Sequence, residues 1–180
     1  MKKLWWLGLA SLLIVLAGCA GDEKADEGEK DKEKEEAMDD TKVDAEGAVL
    51  DLYLSVANDI NAQDSALNAV EHAFAEEDPE VLKENKEAAD YAAATEAAEK
   101  TAEAVRNVEV ADDLGDYKED FQAVLDTLAE SYDMKAEELK KEADLNFEAA
   151  DAKLTEAEEK LNVIFEEAGH ENVGLIGQIG

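Results

Sequence analysis

The chain has 180 residues, of which 46% are apolar and 36% charged, and its formal net charge is −31. This length suits one folded domain with a tail and excludes two large domains. The excess of carboxylates argues against direct binding to nucleic acid or anionic lipid, because like charges repel. It favours a basic or cationic partner, or simply solubility in high salt.

Residues 1–18 have the pattern of a secretory signal peptide, with two lysines, an apolar run over residues 4–16 and then small residues. The run is shorter than the roughly 20 apolar residues of a spanning helix. Residues 16–19, Leu-Ala-Gly-Cys, resemble the lipobox of bacterial lipoproteins. The resemblance implies cleavage before Cys19 and a diacylglyceryl group on its sulfur. We therefore expect lipidation at Cys19, with an uncleaved anchor or plain secretion as the alternatives.

The predicted lipid accounts for the cysteine count and indicates a localisation. Cys19 is the only cysteine, so it cannot form an internal disulfide, and a thioether to lipid removes the thiol from redox chemistry. Two acyl chains hold a protein on a bilayer far more firmly than one. We expect the protein on the extracytoplasmic face of the bacterial cell membrane, with the membrane as a partner through the lipid on Cys19.

Residues 19–46 are predicted to form a disordered tether rich in acidic residues and lysine. Such a segment cannot bury enough apolar surface to fold alone. As a flexible coil it would reach roughly 30 Å. The alternative is a frayed, Glu/Lys-rich extension of the first helix of the body, which would also act as a spacer.

Residues 47–180 are predicted to form an all-α domain, an antiparallel bundle of four helices. Abundant Ala, Glu, Lys and Leu with a single proline favour helix over strand. The first helix is expected over residues 46–76, where a stripe of residues follows steps of three and four. The positions of the stripe are Val49, Leu52, Val56, Ile60, Gln63, Leu67, Val70 and Phe74.

The second helix is expected over residues 79–107, since Asp78 is a good N-cap and Pro79 suits the first helical position. Its face is lined mainly by alanine, which has high helix propensity but little area to bury. This face requires close packing by its neighbours, or else it forms the wall of a groove.

The apolar stripe continues from Leu114 to Phe165 without a strong breaker, after Asp112 or Asp113 as an N-cap. A single helix over residues 113–168 would be about 80 Å long, far longer than its neighbours. We therefore predict a turn near residues 143–146, where Asp144 and Asn146 are candidate caps. The alternative is three helices, the third overhanging and pairing with another molecule. Gly169 is expected to close the last helix, and the apolar tail after it to fold back over one end of the bundle or to dock on a partner.

No catalytic or cofactor-binding residues are predicted, and we expect a protein that is not an enzyme. His72 has Glu76 one turn away, and Glu167 and His170 have a Glu-x-x-His spacing. Ferritin-like metal sites need two such motifs and further carboxylates, so no metal site is predicted here. Cation binding by clustered carboxylates, with His72 or His170, is the alternative function.

The order of lipobox, charged tether and helical body resembles the small surface lipoproteins of Gram-positive bacteria, and the segment FEAADAKLTEAEEKLNVIFEEAG is similar to their final helix. Some of these proteins are described as cell-wall-binding. The resemblance implies a membrane-anchored, non-enzymatic binding or accessory module at the cell envelope. Together with the charge, it favours a basic or cationic envelope partner.

Overall fold

A computed structural model describes residues 40–142 and 144–179, and these residues form an all-helical fold with no strand among them. The all-α prediction is confirmed. The described residues contain six α-helices and one 3₁₀ helix, with the following bounds. They are α1 (Asp40–Asn61), α2 (Ser65–Phe74), α3 (Pro79–Ala88), α4 (Tyr91–Arg106), the 3₁₀ helix (Asp112–Tyr117), α5 (Lys118–Leu139) and α6 (Glu148–Glu167).

The first predicted helix is two helices, so the prediction of one continuous helix over residues 46–76 was wrong. The break lies at residues 62–64, where the N–H groups of Gln63 and Asp64 both bond to the carbonyl of Ile60. Gln63 was counted in the apolar stripe, but it is exposed, whereas Asp64 is buried. At the other end, α1 begins at Asp40, so the last part of the predicted tether is helical.

The second predicted helix is also interrupted. Asp78 caps α3 as predicted, with its side chain accepting bonds from the N–H groups of Glu80 and Val81, and Pro79 occupies the first position. The backbone then becomes extended at Ala89, and Asp90 caps α4 by accepting a 3.0 Å bond from Ala93. The N-cap preference of aspartate explains this break.

The alanine face is closely packed in α4 but not in α3. Ala94, Ala97, Ala98 and Ala102 are buried, and α4 packs against both α5 and α2. By contrast, α3 has no buried residue. The prediction of close packing therefore holds for the second half of this segment. Ala88 and Ala89 instead line a small cleft of ≈ 280 Å³ beside α2.

A 3₁₀ helix precedes α5, and this changes the predicted capping. Neither Asp112 nor Asp113 caps α5, which begins at Lys118. Asp112 instead forms an ion pair with the Lys118 side chain. Gly115 has φ +55° within the 3₁₀ segment, a conformation that glycine adopts at little cost.

The predicted turn between the last two helices is present, because α5 ends at Leu139 and α6 begins at Glu148. Glu142 and Asp144 have positive φ, 55° and 51°. Asn146 accepts a 2.9 Å hydrogen bond from the Glu148 N–H at the start of α6. The single 80 Å helix of the alternative is therefore excluded.

The core joins α4, α5 and α6, since α5 packs against α4 on one side and α6 on the other. α1 packs against the 3₁₀ helix and α4. The largest fully buried side chains are Phe121, Phe165, Ile60, Leu67, Leu114, Leu125, Leu128, Leu139, Leu161, Leu175, Val49 and Val105. Among the described helices, none has an apolar stretch long enough to cross a membrane.

Gly169 ends α6 in the predicted way. Its φ is +81°, its N–H bonds to the Glu166 carbonyl, and the N–H of His170 bonds to the Phe165 carbonyl at 2.8 Å. These two bonds form a Schellman motif. The rings of Phe165 and His170, 5.4 Å apart, supply the contact that usually accompanies it.

The chain then turns back along the helices as residues 170–179, which we call the C-terminal strap. Residues 170–174 of the strap have no regular structure, and the following residues form a turn in which the N–H groups of Gln178 and Ile179 bond to the Leu175 carbonyl. The strap contacts α1 first at Glu46 and last at Asn61, and it contacts α6 first at Asn162 and then at Glu158. It therefore runs parallel to α1 and antiparallel to α6. The expected fold-back is present, but it follows the length of two helices instead of covering one end.

Candidate functional site

The predicted lipidation site, Cys19, lies outside the described residues, as do the predicted signal peptide and most of the tether. Its role stays a prediction from the sequence. The candidate sites that the structure can describe are therefore those of the helical domain.

The structure does not bring the two histidines together with carboxylates as ligands. His72 is exposed on α2. His170 is half-buried, and its Nε2 lies 2.8 Å from the Glu46 carbonyl oxygen. The Glu167 carboxylate is exposed, and its backbone carbonyl accepts a 3.0 Å bond from the Tyr117 hydroxyl. The ring of His170 therefore contacts the backbone of α1 through Glu46.

Residues 45–142 and 144–179 contain no group of three or more His, Cys, Asp or Glu side chains placed to hold a metal ion. The abundant carboxylates are spread over the helix surfaces, and many pair with lysines. One such network joins Lys153 to Glu130 at 3.1 Å and to Glu156 at 3.2 Å. Nothing in these contacts favours cation binding as the function.

A buried lysine is the centre of the most polar part of the interior. Lys135 on α5 is 4% exposed, and its Nζ lies 2.6 Å from Glu71 Oε1 on α2 and 3.2 Å from Asp151 Oδ1 on α6. The contact with Glu71 is a close ion pair between the ammonium and the carboxylate. One ammonium group thus links three helices.

Two carboxylates near this lysine are perturbed by burial. Burial raises the pKa of Glu71, and the positive charge of Lys135 opposes that rise. Burial also raises the pKa of Asp64. A side-chain hydrogen bond with Asn68 and the positive charge of Lys135 oppose this rise. The pKa of Tyr132 is raised by burial and by both of these carboxylates. The cluster therefore places charged and titratable groups inside the domain.

An open cleft of ≈ 630 Å³ lies beside this cluster. Glu71 and Asp151 form part of its wall, and Phe74, Lys86 and residues 144–147 form the rest. The Lys86 Nζ lies 4.9 Å from the centre of the Phe74 ring, a cation–π arrangement. The lining therefore combines aromatic surface with charges of both signs.

The sequence analysis missed Lys135, although a signal existed. Lys135 lies on the apolar stripe of α5, three residues after Tyr132 and four before Leu139, both of which are buried. A lysine at a core position of an amphipathic helix requires a buried counter-charge. That requirement would have indicated an internal ion pair, but not which carboxylates supply it.

Comparisons of the chain with models of protein families, with curated proteins and with solved structures found no match.

Proposed function

We propose that this protein is a membrane-anchored extracytoplasmic lipoprotein, and that its helical domain is a non-enzymatic binding or accessory module at the cell envelope. The observation that carries the proposal is the position of Cys19. It ends the apolar run of residues 4–16 in a Leu-Ala-Gly-Cys sequence, and an acidic, lysine-rich segment follows directly. This order suits cleavage, lipid attachment and a spacer.

We further propose that the domain is an antiparallel bundle of four columns, α1 with α2, α3 with α4, α5 and α6, as in the small surface lipoproteins of Gram-positive bacteria. The short connections between α2 and α3, residues 75–78, and between α5 and α6, residues 140–147, support this arrangement. Residues 47–180 contain 35 acidic residues and 10 Lys or Arg. That charge favours a basic or cationic envelope partner over nucleic acid or wall polymers that are themselves anionic.

The proposal is tested by labelling cells that express the chain with palmitate, followed by detergent phase partitioning. The parent chain should take up label and enter the detergent phase. The Cys19→Ser variant should do neither, because the acylated thiol is absent. Ala20→Ser is the matched control and should behave like the parent. Equal labelling and equal partitioning of the Cys19→Ser variant and the parent would contradict the lipoprotein proposal.

A further inference from the structure

The open cleft between α2 and α6 has the size and the lining of a site for a small charged group. Its volume of ≈ 630 Å³ lies within the roughly 300–1,000 Å³ of typical ligand sites. Three parts of the fold form most of its wall. α2 contributes Glu71 and Phe74, α6 contributes Asp151, and the connection before α6 contributes Asp144 and Phe147. Carboxylates and aromatic rings from separate elements therefore line one space.

Negative charge exceeds positive charge in this cleft. Lys135 is 4% exposed, and it pairs with one oxygen of Glu71 and one of Asp151. The side chains of these two acids remain 27% and 57% exposed, so both still present carboxylate surface to the cleft. Asp144 is exposed on the lining as well, and Lys86 is the cation among the lining residues. Three carboxylates against two lysines leave a negative excess, which attracts a cation and repels an anion.

The chain's own lysines show which kind of cation this part of the fold accommodates. The Nζ atom of Lys86 lies 4.9 Å from the centre of the Phe74 ring. The Nζ atom of Lys135 lies 5.9 Å from the centre of the Phe147 ring. Both distances are within the ≈ 6 Å of a cation–π contact. In each case an apolar stem carries an ammonium group to an aromatic ring that lines the cleft, so the surroundings suit a basic side chain.

We propose that this cleft binds a lysine or arginine side chain of a basic partner protein. Asp144 and Asp151 hold the cation, and the ring of Phe147 packs against the apolar stem. The inference rests on the proposed binding role and names the group that the partner supplies. A free alkylamine carries the same chemistry and is the competing source of the cation.

The test uses the isotope-labelled full-length chain and the peptide acetyl-Gly-Lys-Gly-amide, followed by NMR at constant ionic strength. We expect the peptide to shift the amide signals of residues 144–147 and 151, and the shifts to saturate as peptide is added. The same peptide with an acetyl group on the lysine Nζ is the control. It keeps the apolar stem but loses the charge, so it should leave these signals unchanged.

Removing a carboxylate of the cleft should weaken peptide binding. We expect Asp151→Asn and Asp144→Asn each to weaken it about fivefold, the upper range for a partly exposed ion pair. Asp144 has φ 51°, a conformation that asparagine also tolerates, so this variant keeps the loop even if Asp151→Asn disturbs the fold. Glu103→Gln is the matched control, because Glu103 is exposed on α4 and is not part of the lining. It should bind the peptide like the parent.

The aromatic wall is tested separately. Phe147→Leu keeps an apolar side chain but removes the ring, and it should weaken peptide binding about threefold. Shifts in the parent that do not saturate, or that are equal with the acetylated peptide, would overturn the proposal. An equal loss of binding in Glu103→Gln and in the two aspartate variants would also overturn it, because the overall negative charge, and not the cleft, would then attract the peptide.

A second ligand distinguishes the two sources of the cation. n-Butylammonium has the charge and the stem of a lysine side chain but no peptide backbone. We expect it to bind more weakly than the peptide. Tighter binding of n-butylammonium at the same amides would assign the cleft to a free amine and overturn the partner assignment. None of these measurements depends on lipid, so their failure is distinguishable from failure of the palmitate test.

Discussion

The Nζ atom of Lys135 lies 2.6 Å from Oε1 of Glu71, and this ion pair joins α5 to α2 inside the domain. The lysine side chain is 6% exposed and the glutamate side chain 27%. Two charges removed this far from water stabilise a fold only as a pair, because each alone would lose its hydration without compensation. The pair therefore makes the stability of α2 and of α5 in the fold depend on their contact with each other.

Removing the lysine should destabilise the domain strongly. In Lys135→Met, Glu71 and Asp64 lose the positive charge that offsets their burial, and we expect the free energy of unfolding to fall by about 3 kcal/mol. Urea denaturation followed by circular dichroism measures this change. Lys153→Met, which removes a more exposed lysine from two surface ion pairs, is the control and should cost less than about 1 kcal/mol. Equal losses in the two variants would contradict a buried ionic link.

The domain should become more stable as the pH falls from neutral towards the carboxylate range. The pKa values of Asp64 and Glu71 are raised above the ordinary 3.8 and 4.5, so the folded state binds protons more tightly than the unfolded chain. Their contribution is therefore fully present below the ordinary values and is lost as the pH rises through the raised ones. The urea midpoint should be higher at about pH 5 than at pH 8.

The double variant Asp64→Asn and Glu71→Gln tests this assignment. Both side chains keep their shape but no longer titrate, so the difference in urea midpoint between the two pH values should shrink. The surface carboxylates Glu138 and Glu156 act in the opposite direction, since contacts with lysines lower their pKa values and their contribution is lost as the pH falls. A double variant with the same pH dependence as the parent would show that Asp64 and Glu71 are not its source.

The capping contact of Asp90 should contribute measurably to stability. Its carboxylate accepts the Ala93 N–H at the start of α4, a helix whose alanine face is buried. Asp90→Ala should therefore lower the free energy of unfolding by about 1 kcal/mol. Glu103→Ala, an exposed change on the same helix, should remain within about 0.5 kcal/mol of the parent. Thermal and urea unfolding distinguish these values. An Asp90→Ala variant with the same free energy of unfolding as the parent would show that the cap is dispensable.

Two glycine-to-alanine changes should have opposite signs. Gly169 has φ +81°, so Gly169→Ala forces a side chain into the left-handed region and should cost about 1 kcal/mol. Gly47 lies in α1 with open space around the position of a Cβ, so Gly47→Ala should stabilise by about 0.5–1 kcal/mol. Melting temperatures of the two variants on either side of the parent would confirm both assignments.

The helical class and the end at Gly169 were predictable because each depends on local chemistry. The turn before α6 was predictable because a single helix would have been far longer than its neighbours. The positions of the breaks within the first two predicted helices were harder. Gln63 fits the helical period by spacing alone, and Asp90 stands in an alanine-rich run that favours continuous helix. At both places a local turn or cap prevails over helix propensity.

The ionic cluster and the course of the strap could not be predicted, because they depend on residues far apart in sequence. Glu71 and Lys135 are on different helices, and nothing in the sequence pairs that lysine with one of 48 acidic residues. The apolar residues of the strap were visible in the sequence. Its direction along α6, however, depends on the positions of Asn162 and Glu158, which bind its backbone.

The strap also bears on the order in which the domain completes its folding. It joins Glu46 to His170 and Asn61 to Gln178, contacts that span 124 and 117 residues of sequence. Contacts this distant are slow to form, since a long loop must close first. In a chain made from its N-terminus, α1 is the first of the described helices to be synthesised. Its packing can be finished only when the strap has been added, so a product truncated before residue 170 would leave the first described helix, and not only α6, incompletely packed.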